Sequence, residues 1–474
     1  MTIGYDKLNR GSQVAIIVPL ACVLFAFFGI GPSFFPALLA CCVLIIGVYL
    51  LWRPGEAQIF LFVFGYQWLQ ATLLIVRSNA TGVPLDQIYP RFPKLDSAVA
   101  FALIGALTLA LGMRLGAGLQ QASYISRSAY LINSIQPRRW LFLHLAVLLL
   151  STACNFLAQL VPGLSQPLLA LAGFKWATFF VLTLVTFSRP DASRIGWLIV
   201  FGMEFILSLG GYFSSFKFVF LYTLIAISAV GVRLTIGRMV IATLLFIIVV
   251  ILGIYWTAVK QEYREFVSGG QRHQIVVVDR IDVIPKIAEL FSEVSEEKFW
   301  TGARQMVDRI SELDMFSAVL AYVPSQVPHQ WGGLWFDAIS RPFMPRILFP
   351  DKEIIDESAL TQMYTGIRVA GMEQGTQISM GFLAEAYIDF SEIGMWGCLL
   401  LYGYFVGRIY RWCTYNPKGF GIIGAGLSSV IVMHSSSLGA SSTKMVGGTI
   451  VSLIVAIIIV KFVNQHVVSW LKRE

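Results

Sequence analysis

The sequence predicts an all-α polytopic membrane protein from its composition, its apolar runs and the placement of its positive charges. Hydrophobic residues make up 57% of the 474 residues and charged residues only 13%, whereas a soluble chain carries roughly 25% charged residues. The mean hydropathy is +0.72. Apolar runs of about 20 residues, which cross a bilayer as helices, recur along most of the chain.

We predict about 12 transmembrane helices, because joints rich in Gly, Pro and Ser separate the apolar runs. The first run lacks the small-residue cleavage site of a signal peptide and is interpreted as a span. The predicted spans are residues 14–30, 34–52, 57–76, 96–116, 140–160, 167–187, 195–212, 217–232, 239–258, 388–408, 419–438 and 445–463.

The basic residues indicate the orientation of these spans. With a cytoplasmic N-terminus, 17 of the 23 Lys and Arg residues outside the segment 259–380 fall in cytoplasmic segments, as the positive-inside rule requires of short loops. The net charge of +8 is then mainly a topology signal, and we expect no nucleic-acid partner. Both termini are expected in the cytoplasm. The opposite short loops contain few basic residues, namely Arg77, Arg91, Lys94, Lys217 and Lys444.

This topology divides the chain into three parts. Residues 1–258 form an N-terminal membrane bundle of about nine spans, and residues 381–474 form a C-terminal bundle of about three. Residues 259–380 form one long extracytoplasmic loop. The loop contains an amphipathic stretch, Gln305–Val323, with apolar residues at helical spacing. We expect it to contain short helices that pack on the membrane face and cover a cavity.

Three polar residues within predicted spans need a physical reason, since ionisable groups are costly in lipid. Lys175 and Glu204 lie at similar depth on consecutive antiparallel helices, which predicts an ion pair inside the bundle. The pair either fixes helix packing or forms part of a cavity wall. His434, followed by a run of small polar residues, is explained either by close helix packing or by a polar cavity wall.

The densest set of charged residues is the segment Ser340–Lys352, S-R-P-F-M-P-R-I-L-F-P-D-K, called here the cationic strap. Its three prolines restrict the backbone, so that Arg341, Arg346 and Lys352 are held on a stiff segment. Stiffly placed guanidinium groups suit phosphate or diphosphate. Alternatively, these cations bind lipid headgroups or pair with carboxylates of the loop.

Further candidates lie outside the strap. Glu385 and Asp389 are spaced i,i+4 and share one helical face at the outer membrane boundary. One of them is a candidate general base if burial raises its pKa; otherwise they favour a helix N-terminus. The remaining candidates for lining an outward-open cavity are basic, namely Lys217, Lys260, Arg264 and Arg368.

Other chemistries lack a sequence signal. No P-loop, nucleotide-binding glycine fingerprint, HExxH or GxSxG motif is present. The five histidines are scattered, and the six cysteines lie in or beside apolar runs without metal-ligand spacing. We therefore expect neither a metal nor another cofactor.

Two motifs resemble bacterial oligosaccharide repeat-unit polymerases, the Wzy-type O-antigen and exopolysaccharide polymerases. They are R-P-F-M-P-R-I-L-F-P-D-K (Arg341–Lys352) and E-A-Y-I-D-F-S-E-I-G (Glu385–Gly394). K-Q-E-Y-R (Lys260–Arg264) and Lys217 are weaker matches. The sequence departs from the pattern at Ala384, where Gly often precedes the Glu, and at Ser391, where Gly often follows the Phe.

The resemblance implies a GT-C-like glycosyltransferase in the bacterial cytoplasmic membrane. It would join undecaprenyl-diphosphate-linked oligosaccharide repeat units at the outer face, without metal or nucleotide, with membrane lipid and a chain-length regulator protein as further partners. On this interpretation Arg341, Arg346 and Arg368 bind the diphosphate, with Lys217 and Arg264 in support. Glu385 is the first candidate base and Asp389 the second.

Two alternatives remain open from the sequence. An O-antigen ligase-like enzyme shares the architecture and the donor but uses another acceptor. A non-enzymatic transporter or flippase for lipid-linked sugars belongs to a different class, in which internal repeats are common. The two halves of this sequence show no clear repeat, and the single long loop breaks any symmetry.

Overall fold

The computed structural model describes residues 29–53, 56–118, 132, 136–209, 216–230, 236–270, 277–278, 280–374, 376–415 and 421–472. All regular secondary structure in these residues is helical, which confirms the all-α prediction. Nearly all of the predicted first span, 14–30, lies outside the described residues.

The helices of the N-terminal part follow the predicted spans. Their bounds are α1 (Phe34–Leu51), α2 (Ile59–Thr81), α3 (Leu85–Ile88), α4 (Leu95–Ala117), α5 (Pro137–Leu160), α6 (Ser165–Gly173), α7 (Lys175–Ser188), α8 (Arg194–Leu209), α9 (Lys217–Ala229) and α10 (Ile236–Val267). The predicted span 167–187 is divided at Phe174, where the backbone N–H of Phe174 donates to the Leu171 carbonyl in a tightened turn.

Five short helices lie within 259–380, as predicted. They are α11 (Arg280–Ser292), α12 (Glu296–Ser311), α13 (Asp314–Tyr322), α14 (Gly333–Ser340) and α15 (Glu357–Thr365). The amphipathic stretch Gln305–Val323 is not one helix, because Glu312 has a φ of 49° and separates α12 from α13. The apolar side chains after this break, including Phe316 and Leu320, are buried.

The C-terminal part begins with the long helix α16 (Phe382–Tyr415), which starts before the predicted span 388–408. Its backbone is kinked at Ser391, which has a φ of 60°. Glycine adopts this conformation readily. Ser391 is one of the two positions at which the Wzy-type polymerases that the sequence resembles often carry glycine. The chain continues through α17 (Gly421–Val432), a short π-helix (Thr443–Gly447), α18 (Gly448–Ile458) and α19 (Asn464–Lys472).

Helix α16 packs closely on α4 through glycines on both helices. A Cβ added to Gly112 or Gly116 of α4 would lie 2.3 or 2.1 Å from a carbonyl oxygen of α16. A Cβ on Gly403 or Gly407 of α16 would lie 2.5 or 2.2 Å from a carbonyl oxygen of α4. Two small-xxx-small motifs therefore face each other, as in closely packed membrane helices.

Six helical segments of the described residues are long and apolar enough to cross a membrane. They are Phe34–Leu51, Ile59–Thr81, Leu95–Ala117, Pro137–Leu160, Ser165–Ser188 and Thr443–Phe462. Lys217–Ala229 and Ile423–Ser435 are shorter apolar helices. The chain is a helical membrane protein.

Candidate functional site

The segment Ser435–Lys444 between α17 and α18, called here the serine linker, binds three carboxylates from other parts of the chain. The first is Glu312, at the break between α12 and α13. Its Oε2 accepts hydrogen bonds from Ser437 Oγ at 2.8 Å, from Gly439 N at 2.9 Å and from Gln70 Nε2 of α2 at 3.0 Å. Glu312 thus joins the loop helices to α2 and to the serine linker.

Glu357, in the first turn of α15, is the second carboxylate. Its Oε1 accepts a hydrogen bond from Ser441 Oγ at 2.7 Å, and its Oε2 lies 2.6 Å from Lys444 Nζ. The Glu357 side chain is buried whereas that of Lys444 is mostly exposed. The ion pair therefore fixes α15 on the serine linker at the boundary of the protein.

Glu385, in the first turn of α16, is the third. Its Oε2 accepts hydrogen bonds from the backbone N–H of Ser442 at 2.7 Å and from the Ser442 hydroxyl. Its Oε1 accepts none from the described residues. Burial is the main cause that raises the pKa of Glu385, which precedes the predicted span, to about 7. The carboxylate therefore has a free oxygen and a pKa suited to a general base at neutral pH.

Asp389 has a different environment, although it lies one turn after Glu385. Its two oxygens accept hydrogen bonds from the backbone N–H groups of Leu334 at 3.2 Å and Trp335 at 2.8 Å. These N–H groups belong to the first turn of α14. N–H groups of a first turn have no acceptor within their own helix. Asp389 is fully buried and caps α14.

The start of α16 also accepts hydrogen bonds from the loop that precedes α14. The ring Nδ1 of His329 lies 3.0 Å from the Tyr387 carbonyl, and the backbone N–H of Gln330 donates to the Ile388 carbonyl at 2.9 Å. Both carbonyls belong to α16 just before its kink, where the regular helical bonding is interrupted. The loop before α14 and the start of α16 therefore form a reciprocal set of hydrogen bonds.

The cationic strap follows α14 directly, and two of its cations stabilise the strap itself. Arg341 Nε lies 2.5 Å from Asp337 Oδ2, and its Nη1 donates to the Glu353 carbonyl at 2.9 Å. Lys352 Nζ donates to the carbonyls of Arg341 at 2.7 Å and Met344 at 3.0 Å. Burial, with the nearby charges of Arg341 and Arg346, lowers the pKa of Lys352.

Arg346 and Arg368 differ from these two cations. Arg346 is half-buried and Arg368 is exposed. Neither has a hydrogen-bond or ion-pair partner within the part of the chain that the structure describes. Their guanidinium groups are therefore available to an external anion.

The remaining predicted cations form a separate group at the ends of α9, α10 and α12. Lys260 lies near three other positive charges, those of Lys217, Arg264 and Arg309. Burial is the main cause that lowers the pKa of Lys260 to about 7, and the three neighbouring positive charges lower it as well. Within the described residues no hydrogen bond or ion pair joins Lys217, Lys260 or Arg309 to the cationic strap.

The predicted ion pair between Lys175 and Glu204 is present, with Lys175 Nζ 2.6 Å from Glu204 Oε2. A third residue joins it, because His144 Nε2 of α5 lies 3.5 Å from Glu204 Oε1. His144 also contacts the Thr178 hydroxyl at 2.9 Å. Since Glu204 and His144 are fully buried, the group joins α5, α7 and α8 inside the bundle.

His434 packs between helices, beside the serine linker. Its Nε2 lies 2.9 Å from Ser452 Oγ of α18. A Cβ on Gly448 would lie 2.6 Å from its Nδ1, so this glycine permits the close approach. The geometry agrees with the packing interpretation of the small polar run.

Sequence reasoning missed Glu312, Glu357, Arg309 and His144. A signal was present for His144, because it lies within a predicted span as Lys175 and Glu204 do. Glu312 and Glu357 carry no such pattern, since each is one of several acidic residues in a polar loop. No group of three or more metal-ligating side chains is found among the described residues.

The fold and these buried ionic contacts define a helical membrane protein with a polar site where the loop meets α16 and the serine linker. Residues 99–467 match the family described as "Domain of unknown function (DUF8712)". Because the match covers most of the chain, the protein belongs to this family. No curated protein and no solved structure matches the sequence.

Proposed function

We propose that the protein polymerises undecaprenyl-diphosphate-linked oligosaccharide repeat units by glycosyl transfer at the outer face of the bacterial cytoplasmic membrane. The proposal includes about 12 spans in a GT-C-like arrangement, cytoplasmic termini, and a loop 259–380 on the outer side. A chain-length regulator protein is a further proposed partner. The resemblance of the strap and of Glu385–Gly394 to Wzy-type polymerases gives the reaction class.

The observation that carries the proposal is the attachment of the cationic strap to the acidic start of α16 through Asp389. Helix α14 has eight residues. Arg341 therefore lies roughly 12 Å along the helix axis from the end that Asp389 caps, given a rise of 1.5 Å per residue. Glu385 lies one helical turn from Asp389. The guanidinium group of Arg346 and a Glu385 oxygen that has no partner among the described residues are thereby held on one frame.

Glu385 is the proposed general base. Its Oε1 takes the proton of the acceptor sugar hydroxyl while the hydroxyl oxygen attacks the anomeric carbon of the donor. The bond between this carbon and the diphosphate oxygen breaks, and undecaprenyl diphosphate leaves with the electron pair. Burial supports this role, because it raises the pKa of Glu385 to about 7.

Arg346 and Arg368 are the proposed ligands of the leaving diphosphate, whose negative charge increases as the glycosidic bond breaks. Arg341 and Lys352 act by holding the strap, since their groups bind Asp337 and backbone carbonyls. Asp389 positions α14 and the strap. Lys217, Lys260, Arg264 and Arg309 supply a second positively charged surface for the anionic substrates.

Glycan analysis of cells that lack the gene and carry a plasmid copy tests the proposal. Wild-type protein should restore long polymers, whereas Glu385→Gln and Arg346→Ala should leave single repeat units. Glu373→Gln and Arg304→Ala alter exposed residues outside the site and serve as matched controls. Accumulation of long lipid-linked chains in cells without the gene would instead indicate a ligase, and normal polymers in the Glu385→Gln strain would contradict the assigned base.

A further inference from the structure

Helix α14 and its 3₁₀ extension Arg341–Phe343 have two apolar faces. One face contains Trp335, Ala338 and Pro342, spaced i, i+3 and i+7. Trp335 and Ala338 are buried, and the Trp335 ring lies 6.0 Å from that of Tyr402. This face packs on the protein.

The second apolar face is uncovered. It contains Phe336, Ile339 and Phe343, again spaced i, i+3 and i+7, with exposed fractions of 74%, 44% and 63%. The ion-paired residues Asp337 and Arg341 lie on the remaining side of the helix. The helix therefore has one side on the protein, one apolar side open and one charged side.

The apolar surface continues beyond the helix along the strap. Ile347 and Leu348 are 60% and 71% exposed, and they follow Arg346, which has no partner among the described residues. A cation beside exposed apolar side chains is typical of segments at a membrane interface, where the charge reaches the phosphate layer. Water-exposed loops avoid such contiguous apolar patches.

The strap also adjoins the surface of the membrane helices. A Cβ on Gly163, between α5 and α6, would lie 3.9 Å from the backbone of Ile347. At this end of α5 the apolar side chains of Leu157, Leu160 and Val161 are exposed. Since α5 is one of the candidate spans, the exposed face of the strap continues a surface that faces lipid.

We propose that the uncovered face of α14 and the cationic strap (Phe336, Ile339, Phe343, Ile347 and Leu348) is inserted into the outer leaflet of the bilayer. Its partner is the lipid surface itself: acyl chains contact the apolar side chains, which places Arg346 at the depth of the phosphate layer, where the diphosphate of a lipid-linked substrate also lies. The inference goes beyond the proposed reaction and does not depend on it; only the choice of the outer leaflet rests on the proposed topology.

Nitroxide collision measurements on the full chain in lipid nanodiscs test this. Single cysteines at Phe343 and Leu348 are labelled in a background in which the six native cysteines are replaced by alanine. Leu149, which is 73% exposed within α5, provides a lipid control, and the exposed Glu373 provides a water control. Size-exclusion profiles identify variants that remain folded.

Labels at positions 343 and 348 should collide with oxygen more often than the label at 373, though less often than the mid-span label at 149, and at least about fivefold less often with a water-soluble nickel chelate than the label at 373. Nickel accessibility equal to that at 373 would overturn the proposal. Protection from both oxygen and nickel would also overturn it, because a protein partner would then cover this face.

Discussion

The Asp389 carboxylate accepts a hydrogen bond from the backbone N–H of Trp335 at 2.8 Å, although the two residues are 54 positions apart. This contact connects the buried start of α16 to the helix that precedes the cationic strap. It also separates the roles of the two acidic residues of α16. Asp389 is engaged as a cap, whereas Glu385, one turn earlier, has one oxygen with no partner among the residues that the structure describes.

Replacing Glu385 by Gln should lower kcat about 10²- to 10⁴-fold, the usual contribution of a general base. The amide still accepts a hydrogen bond from Ser442, so KM should change little. Asp389→Ala should instead raise KM more than it lowers kcat, because it frees the strap without removing the base. Steady-state kinetics on purified variants separates the two effects, and equal losses of kcat would contradict the assigned roles.

The two strap arginines should differ in their effects. Arg346→Ala removes a cation that has no partner within the described part of the chain, and it should reduce polymer formation about 10²-fold or more while leaving the melting temperature unchanged. Arg341→Ala breaks the contacts with Asp337 and the Glu353 carbonyl, so it should lower both activity and melting temperature. Arg304→Ala is the control. A melting temperature unaffected in Arg341→Ala would be inconsistent with its structural role.

Activity should rise with pH through about 7, because burial raises the pKa of Glu385 to about 7 and the base acts in its ionised form. The raised pKa means that the neutral form is favoured below this value, where turnover should be lost. The rate of release of lipid diphosphate between pH 5.5 and about 8.5 measures this. In Glu385→Gln the residual rate should no longer depend on pH in this range. If the variant kept the same pH profile, the profile would arise from the ionisation of another group.

Glu312→Ala should destabilise the protein by about 1–3 kcal/mol, because it leaves the backbone N–H of Gly439 and the Gln70 amide without their acceptor. Thermal unfolding of the purified protein in detergent measures the effect. Glu312→Gln retains an acceptor and should lose less, and the exposed Glu293→Ala should behave as wild type. Equal stability of Glu312→Ala and wild type would show that this contact is dispensable.

Glu204→Gln should be destabilising by about 3–5 kcal/mol, the usual cost of breaking a buried ion pair, because it leaves Lys175 without its carboxylate. Lys175→Met combined with Glu204→Gln should recover part of the loss, since no uncompensated charge remains. The yield and thermal stability of folded protein report both effects. A stable and active single variant would exclude both a structural and a cavity-wall role for the pair.

The long apolar elements are predictable because each is determined by its own sequence. The predicted spans 34–52 and 96–116 agree closely with Phe34–Leu51 and Leu95–Ala117. The breaks at Glu312 and Ser391 are not predictable, because contacts with distant residues stabilise these backbone conformations. Glu312, for example, binds Gln70 and the serine linker, which are far away in the sequence.

In the candidate site, too, local placement was predictable from the sequence whereas contacts between distant residues were not. Motif spacing brought attention to Glu385, Asp389 and the strap, and i,i+4 spacing correctly placed both acids on one helix. The partners of these residues came only from the structure. Spacing alone does not indicate that Lys352 binds carbonyls of its own segment or that Asp389 caps α14.

The most direct test of the proposed reaction uses purified protein in nanodiscs with a synthetic undecaprenyl-diphosphate-linked repeat unit as the only substrate. Mass spectrometry counts the glycosidic bonds formed and the undecaprenyl diphosphate released. We predict polymer and one released lipid diphosphate per bond with wild-type protein, and neither product with Glu385→Gln. Failure of the folded wild-type protein to form polymer or release lipid diphosphate would contradict the proposed function.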